Sequence, residues 1–195
     1  MTFAGGTAAT NTTATISGST VELATNKGKF ESAKEGYAFA GQTISGDFTI
    51  TATVANVTGS MTTSTSHQYR AGVMLGDTTD SAVAPVYAHS SFGVLSAGSY
   101  SYIYASRVAV SGSVSKGPAA ASAIAVTPTD GSLVLRLNRT GLVVTLSYST
   151  DKGSTFTSAS PVTFAALPDS VSVGVFAATG GVATITFSNI TITQP

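Results

Sequence analysis

Between Leu133 and Thr157 the sequence reads LVLRLNRTGLVVTLSYSTDKGSTFT. Apolar and polar residues alternate with period two, break at Asn138-Arg139-Thr140-Gly141, resume, and break again at Asp151-Lys152-Gly153. Period two is the strand period, so the stretch predicts a β-hairpin leading into a tight turn. Successive strand side chains point to opposite faces. Leu133, Leu135 and Leu137 therefore share one face with Leu142, Val144, Leu146 and Tyr148 of the returning arm, and these seven residues are expected in the core. The other face carries Val134, Arg136 and Asn138 beside Val143, Thr145, Ser147 and Ser149. It is mostly polar and holds no carboxylate, which suits binding rather than hydrolysis.

The rest of the chain repeats the pattern. Short β-prone pieces at Ala14 to Ile16 and Thr20 to Ala24 predict an edge pair. A charge cluster from Lys27 to Glu35 reads as a solvated turn; Glu31 and Glu35 lie among lysines and make a poor acid and base pair. Gly46-Asp47 opens a long strand from Phe48 to Val57, with Phe48, Ile50, Ala52, Val54 and Asn56 on one face and Thr49, Thr51 and Thr53 on the other. After a polar loop at 58–67, Gln68 to Gly76 is a further strand. Pro85 to Val94 and Ser99 to Val108 form another hairpin, and the Ala, Ser, Gly and Pro-rich stretch at 111–129 reads as loop. Pro161 to Phe164 is a short strand, and Ser170 to Ala177 with Val182 to Thr193 reads as a closing pair around Thr179-Gly180-Gly181. Eleven or twelve strands with turn signals every eight to twelve residues predict a single all-β domain over 1–195, a two-sheet antiparallel β-sandwich of jelly-roll type.

Composition removes several classes of function. Nine basic and nine acidic residues in 195 give no field able to neutralise many phosphates, so nucleic acid is not an expected partner. No apolar run approaches the roughly 20 residues of a membrane-spanning helix, so no membrane insertion is expected. Without cysteine there is neither a disulfide nor a thiolate metal site. The opening MTFAGGTAATN lacks a charged and an apolar signal region, so Met1 is read as opening a mature or truncated chain whose export signal has been removed.

Four segments together resemble one family: Gly46 to Ala52 (GDFTITA), Arg70 to Leu75 (RAGVML), the hairpin with Leu135-Arg136-Leu137 and Tyr148-Ser149-Thr150-Asp151, and Val173-Gly174-Val175 with Ala183 to Asn189. In this order and spacing, from about Lys29 to Ile192, they resemble the concanavalin-like (laminin-G-like) jelly-roll modules of bacterial secreted polysaccharide-degrading enzymes such as pectate lyases. The resemblance implies one convex and one concave sheet, a secreted or cell-surface location in a bacterium, a larger multi-domain parent protein, and a binding or accessory role on polysaccharide. Where such modules often place tryptophan after the Asp-Gly turn, this chain has Phe156, and it contains no tryptophan at all. Tyrosine is then the remaining large amphipathic platform for a sugar ring. The closely spaced Glu and Asp strand of catalytic glucanases with this fold is missing, and a glycosidase pair needs carboxyls about 5 to 9.5 Å apart.

The candidate ligand-binding cluster is Tyr100, Tyr102 and Tyr104 in one row, with Tyr87 and His89 on the partner strand and Arg107 beyond. The alternative, that the row faces the core and Ser101 and Ile103 lie outside, fits the alternation equally well. Arg70 and Arg136 join the set, because guanidinium forks match carboxylates and a face holding Arg70, Arg107 and Arg136 suits a uronic-acid polymer such as pectin. Arg139 is a further arginine of this kind, and these arginines equally suit a role covering the sheet or pairing with Asp47 and Asp80. His67 and His89 lack the further ligands that zinc requires. A structural calcium ion on loop oxygens, with Asp77 and Asp80 as metal ligands, is the expected cofactor. Together these readings predict a non-catalytic module that docks a glycan. A structural or self-assembling unit of an adhesin or extracellular filament is the second reading, and a lyase built on Tyr with His or Arg is the third.

Overall fold

The computed structural model describes residues 2–3, 13–25, 28, 36–63, 69–76, 86–96, 99–118 and 122–195. Its strands are β1 (Thr2–Phe3), β2 (Thr13–Ser17), β3 (Thr20–Thr25), β4 (Ala38–Ser45), β5 (Phe48–Gly59), β6 (Arg70–Gly76), β7 (Tyr87–Ser96) and β8 (Ser99–Arg107). The second half adds β9 (Ser115–Gly117), β10 (Ile124–Ala125), β11 (Val134–Thr140), β12 (Val143–Ser149), β13 (Thr157–Ser158), β14 (Val162–Thr163), β15 (Ser170–Ala178) and β16 (Ala183–Thr193). They form two antiparallel sheets that pack face to face, an all-β sandwich as expected. The first sheet runs β1-β4-β15-β6-β7-β8-β10, with β9 on β8; the second runs β13-β12-β11-β5-β16-β3-β2, with β14 on β12.

The hairpin from β11 to β12 has the predicted register, Leu135 opposite Tyr148 and Leu137 opposite Leu146. Leu133, Leu135, Leu137, Val144 and Leu146 are fully buried in the core between the sheets. Leu142 is not: it sits in the turn with Gly141 and is 42% exposed. The strand runs three residues into the break in the pattern, to Thr140, and Gly141 at φ 58° makes the reversal. Asp47 Oδ1 accepts from the Gly141 amide at 2.7 Å, so the turn between β4 and β5 holds this one in place.

Two departures from strict alternation have a common cause, the β-bulge. Thr186 pairs with Asn56 but Phe187 pairs with Val54, so β5 carries one extra residue, Ala55. The slip turns Asn56 out to solvent and packs Val57 on the core, the reverse of the simple period-two expectation. In β16 the compensating shift lies between Ser188 and Thr191, where Asn189 adopts φ 50°.

The two segments read as a closing pair do not pair with each other. β15 lies between β4 and β6 in the first sheet, whereas β16 lies between β5 and β3 in the second. The chain passes from sheet to sheet through Thr179-Gly180-Gly181. Gly180 has φ 66°, and the Tyr69 ring lies where its Cβ would stand, at 2.5–2.8 Å. Glycine alone suits both the conformation and the space.

Candidate functional site

The second sheet keeps the wet outer face the alternation implied, but the first sheet does not. Every residue of β6 is buried, and on β7, β8 and β15 both faces are almost wholly withdrawn from solvent. Its inner face supplies Ala71, Val73, Leu75, Ala88, Phe92, Val94, Val173 and Val175 to the main core. Its outer face carries a second apolar cluster of Tyr37, Phe39, Met74, Tyr87, Ala105, Phe176 and Ala178. Glycines leave room on this face for neighbouring side chains. Phe39 lies across Gly41, with ring carbons 2.5–2.8 Å from where a Cβ would stand, and Ile103 Cδ1 lies 2.7 Å from the corresponding point at Gly93.

Within that apolar face lies a polar cluster. Strand pairing sets Tyr87 opposite Arg107, Met74 opposite His89, and Gly72 opposite Ser91. Arg70 Nη1 and His89 Nε2 are 3.0 Å apart, and Ser91 Oγ and His89 Nδ1 are 3.1 Å apart, so each ring nitrogen has a partner. Ser91 Oγ also lies 2.9 Å from the Ile103 carbonyl as donor. The His89 ring stacks on Tyr87 with centroids 5.8 Å apart and meets Phe176 at 5.2 Å. The Arg107 guanidinium lies 5.2 Å from the centre of the Tyr87 ring and donates from Nε to the Gly112 carbonyl at 3.2 Å. Arg70, Tyr87, His89 and Arg107, four of the eight ligand-binding candidates, thus occupy one face of three adjacent strands. Ser91 belongs with them and was not singled out, although its spacing of two residues from His89 places it on the same face.

The tyrosine row goes to the other side. Tyr102 is 1% exposed in the main core, where it stacks on Tyr148 of the opposite sheet at 4.2 Å and meets Tyr104 at 5.9 Å. Tyr100 and Tyr104 are half-buried against the same core. Ser90 Oγ lies 3.2 Å from the Tyr102 hydroxyl and donates to the Ser147 carbonyl of the second sheet at 2.8 Å. Burial pushes the Tyr102 phenol far above the ordinary tyrosine range, against the smaller opposing pull of the Ser90 hydrogen bond. Tyr100 is raised by burial as well. Ser101 and Ile103, on the other side of β8, are buried too, so of the row and its alternates only Tyr100 and Tyr104 keep part of their surface in solvent.

Arg136 stands apart from both groups, on the outer face of the second sheet. Its guanidinium lies 3.7 Å from the centre of the Phe156 ring, and Nε donates to Ser147 Oγ at 3.1 Å. Arg139 is buried and closes the end of the sandwich, donating to the carbonyls of Gly141 at 3.1 Å and Asp169 at 2.9 Å. Asp77 and Asp80, like His67, Glu31 and Glu35, lie outside the described residues. Among the described residues, no three His, Cys, Asp or Glu side chains gather to hold a metal ion, and no helix is long and apolar enough to cross a membrane. Strands β4, β6, β7, β8 and β15 contain no carboxylate.

No family model matches the sequence, and neither does any curated protein. Solved structures do. A functionally unknown protein from Saccharomyces cerevisiae matches with a TM-score of 0.67 at 19% identity, over 94% of this chain and 92% of that one. A xylan β-1,4-xylosidase from Bacillus halodurans C-125 matches at 0.59 and 9% identity, and a Bacteroides ovatus protein described as xyloglucan PUL GH43B at 0.55 and 10%. This chain is covered over 93% and 91% in those two comparisons but spans only 38% and 37% of their lengths. At such identities the likeness is one of fold alone.

Proposed function

We propose that this protein is a non-catalytic carbohydrate-binding or accessory module of a secreted polysaccharide-degrading protein. The observation that carries this reading is the wet outer face of the second sheet, where the half-buried Arg136 guanidinium lies over the half-buried Phe156 ring; Arg70, Tyr87, His89 and Arg107 are buried under the outer surface of the first sheet and are not part of it. Guanidinium groups recognise sugar carboxylates bidentately, and an aromatic ring carries the apolar face of a pyranose, so the class of ligand is a uronic-acid polymer of the pectin kind. Strands β11 and β12, which form this face, have no carboxylate, which favours docking over glycosidic hydrolysis.

The test is retention of the purified protein on polygalacturonate, xylan and cellulose, with calcium and after chelation, beside the variants Arg136→Ala and Phe156→Ala. Selective retention on polygalacturonate, weakened about tenfold in each variant, is expected; that loss corresponds to about 1.4 kcal/mol of binding energy per variant. Loss on chelation would place an ion on loop oxygens beside the glycan. Retention on no glycan, by protein whose thermal melt shows it folded, overturns the reading.

A further inference from the structure

We propose that β2 is a docking edge for a second copy of this chain, which adds its own β2 and continues the second sheet across a two-fold axis. Thr13–Ser17 ends that sheet, and among the described residues no strand pairs with its outer side. The inner side pairs with β3 through a two-residue turn, Gly18-Ser19, with Gly18 at φ 59° and Ser17 opposite Thr20. Residues flanking a two-residue hairpin turn form a hydrogen-bonded pair, and such pairs alternate along an antiparallel ladder. Ser17, Thr15 and Thr13 therefore bond to β3. The amides and carbonyls of Ala14 and Ile16 point outward, away from the sheet.

Exposed edges are ordinarily guarded by lysine, proline or a bulge. The sequence Thr-Ala-Thr-Ile-Ser has none of these, and its pairing with β3 is regular throughout. Its residues are exposed except Ala14, which is half-buried, and Ile16 leaves 39% of its surface to solvent. Antiparallel pairing centred on Thr15 sets Ala14 of one copy opposite Ile16 of the other. Both residues then exchange their N–H and C=O groups, giving four hydrogen bonds in all, and each exposed Ile16 lies beside Ala14 of the other copy.

Charge decides in favour of a second copy. The strand is uncharged, so pairing it with itself opposes no like charges. The charged residue of β3, Glu22 opposite Thr15, is three strand spacings from its counterpart, about 14 Å at ~4.7–4.9 Å per spacing. That exceeds the Debye length of about 8–10 Å at ordinary ionic strength. An interface of five residues a side is small, so the association is weak and concentration-dependent. The docking is independent of the proposed glycan face on β11 and β12, from which β5, β16 and β3 separate this edge.

Sedimentation velocity from micromolar to millimolar concentration tests it. The mass is expected to rise from that of one 19.5 kDa chain towards twice that value. Ile16→Lys places a charge on the edge, and Ala14→Pro removes one outward amide while leaving the ladder to β3 intact. Both variants should stay monomeric over the same range while keeping the wild-type thermal melt. A wild-type protein that is monomeric throughout overturns the proposal, and so does a dimer that both variants form as readily as the wild type.

Discussion

Asp151 is fully exposed, yet its carboxyl titrates at about 2, because the hydroxyls of Ser149 and Thr155 and the Thr155 amide all donate to the ionised form. Ser149 Oγ in turn accepts from the amide of Gly153 at 2.9 Å, so one carboxylate organises the whole turn after β12. A carboxyl held below its unfolded value stabilises the folded state when ionised. That contribution is complete above the unfolded value of about 4, and is lost as the pH falls through the folded value near 2. Carboxyl NMR should place the midpoint near 2. Denaturation from neutral to acid pH should show Asp151→Asn less stable than wild type at neutral pH, with the gap closing below about 4. A midpoint at the ordinary aspartate value would remove the network. The turn was legible in Asp151-Lys152-Gly153, but the hydroxyls that set the titration were not singled out.

At the level of the elements, hairpins were the legible part, because their register is set by turns a few residues away. β11 with β12 and β7 with β8 pair as the alternation predicts. Leucines on either side of the first turn give a direct check. Leu137→Ala should cost about 2–5 kcal/mol, since Leu137 is fully buried, whereas Leu142→Ala in the turn should stay within about 0.5 kcal/mol. Equal losses in urea denaturation would return Leu142 to the core. The bulge at Ala55 was not legible, because one extra residue in a Thr- and Val-rich run leaves no mark in the pattern. Nor was the separation of β15 from β16: two adjacent strands and a Gly-Gly link describe a hairpin and a passage between sheets equally well.

Over the whole molecule, what binds one sheet to the other is apolar packing with a small polar seam. Ser90 of the first sheet donates to the Ser147 carbonyl of the second, and Tyr102 stacks on Tyr148 across the same gap. Ser90→Ala removes the donor and leaves that carbonyl to find another, at a cost of about 1–3 kcal/mol in chemical denaturation. An unchanged midpoint would mean the seam adds nothing to the packing. Alternation along each strand, read from the sequence alone, determined that the chain is all-β, that it forms two layers, and which side of β11 and β12 is buried. It left open where the tyrosine row and the arginines go, because tyrosine suits core and surface alike, and because both faces of β7 and β8 are buried. Tertiary structure alone decided that Tyr102 enters the core, that Arg136 stands on the far sheet, and that Arg70, Tyr87, His89, Ser91 and Arg107 meet on one face. The reason is physical: alternation is a property of neighbours in sequence, while the site depends on which strands lie side by side, and that order is set by packing between segments far apart in the chain.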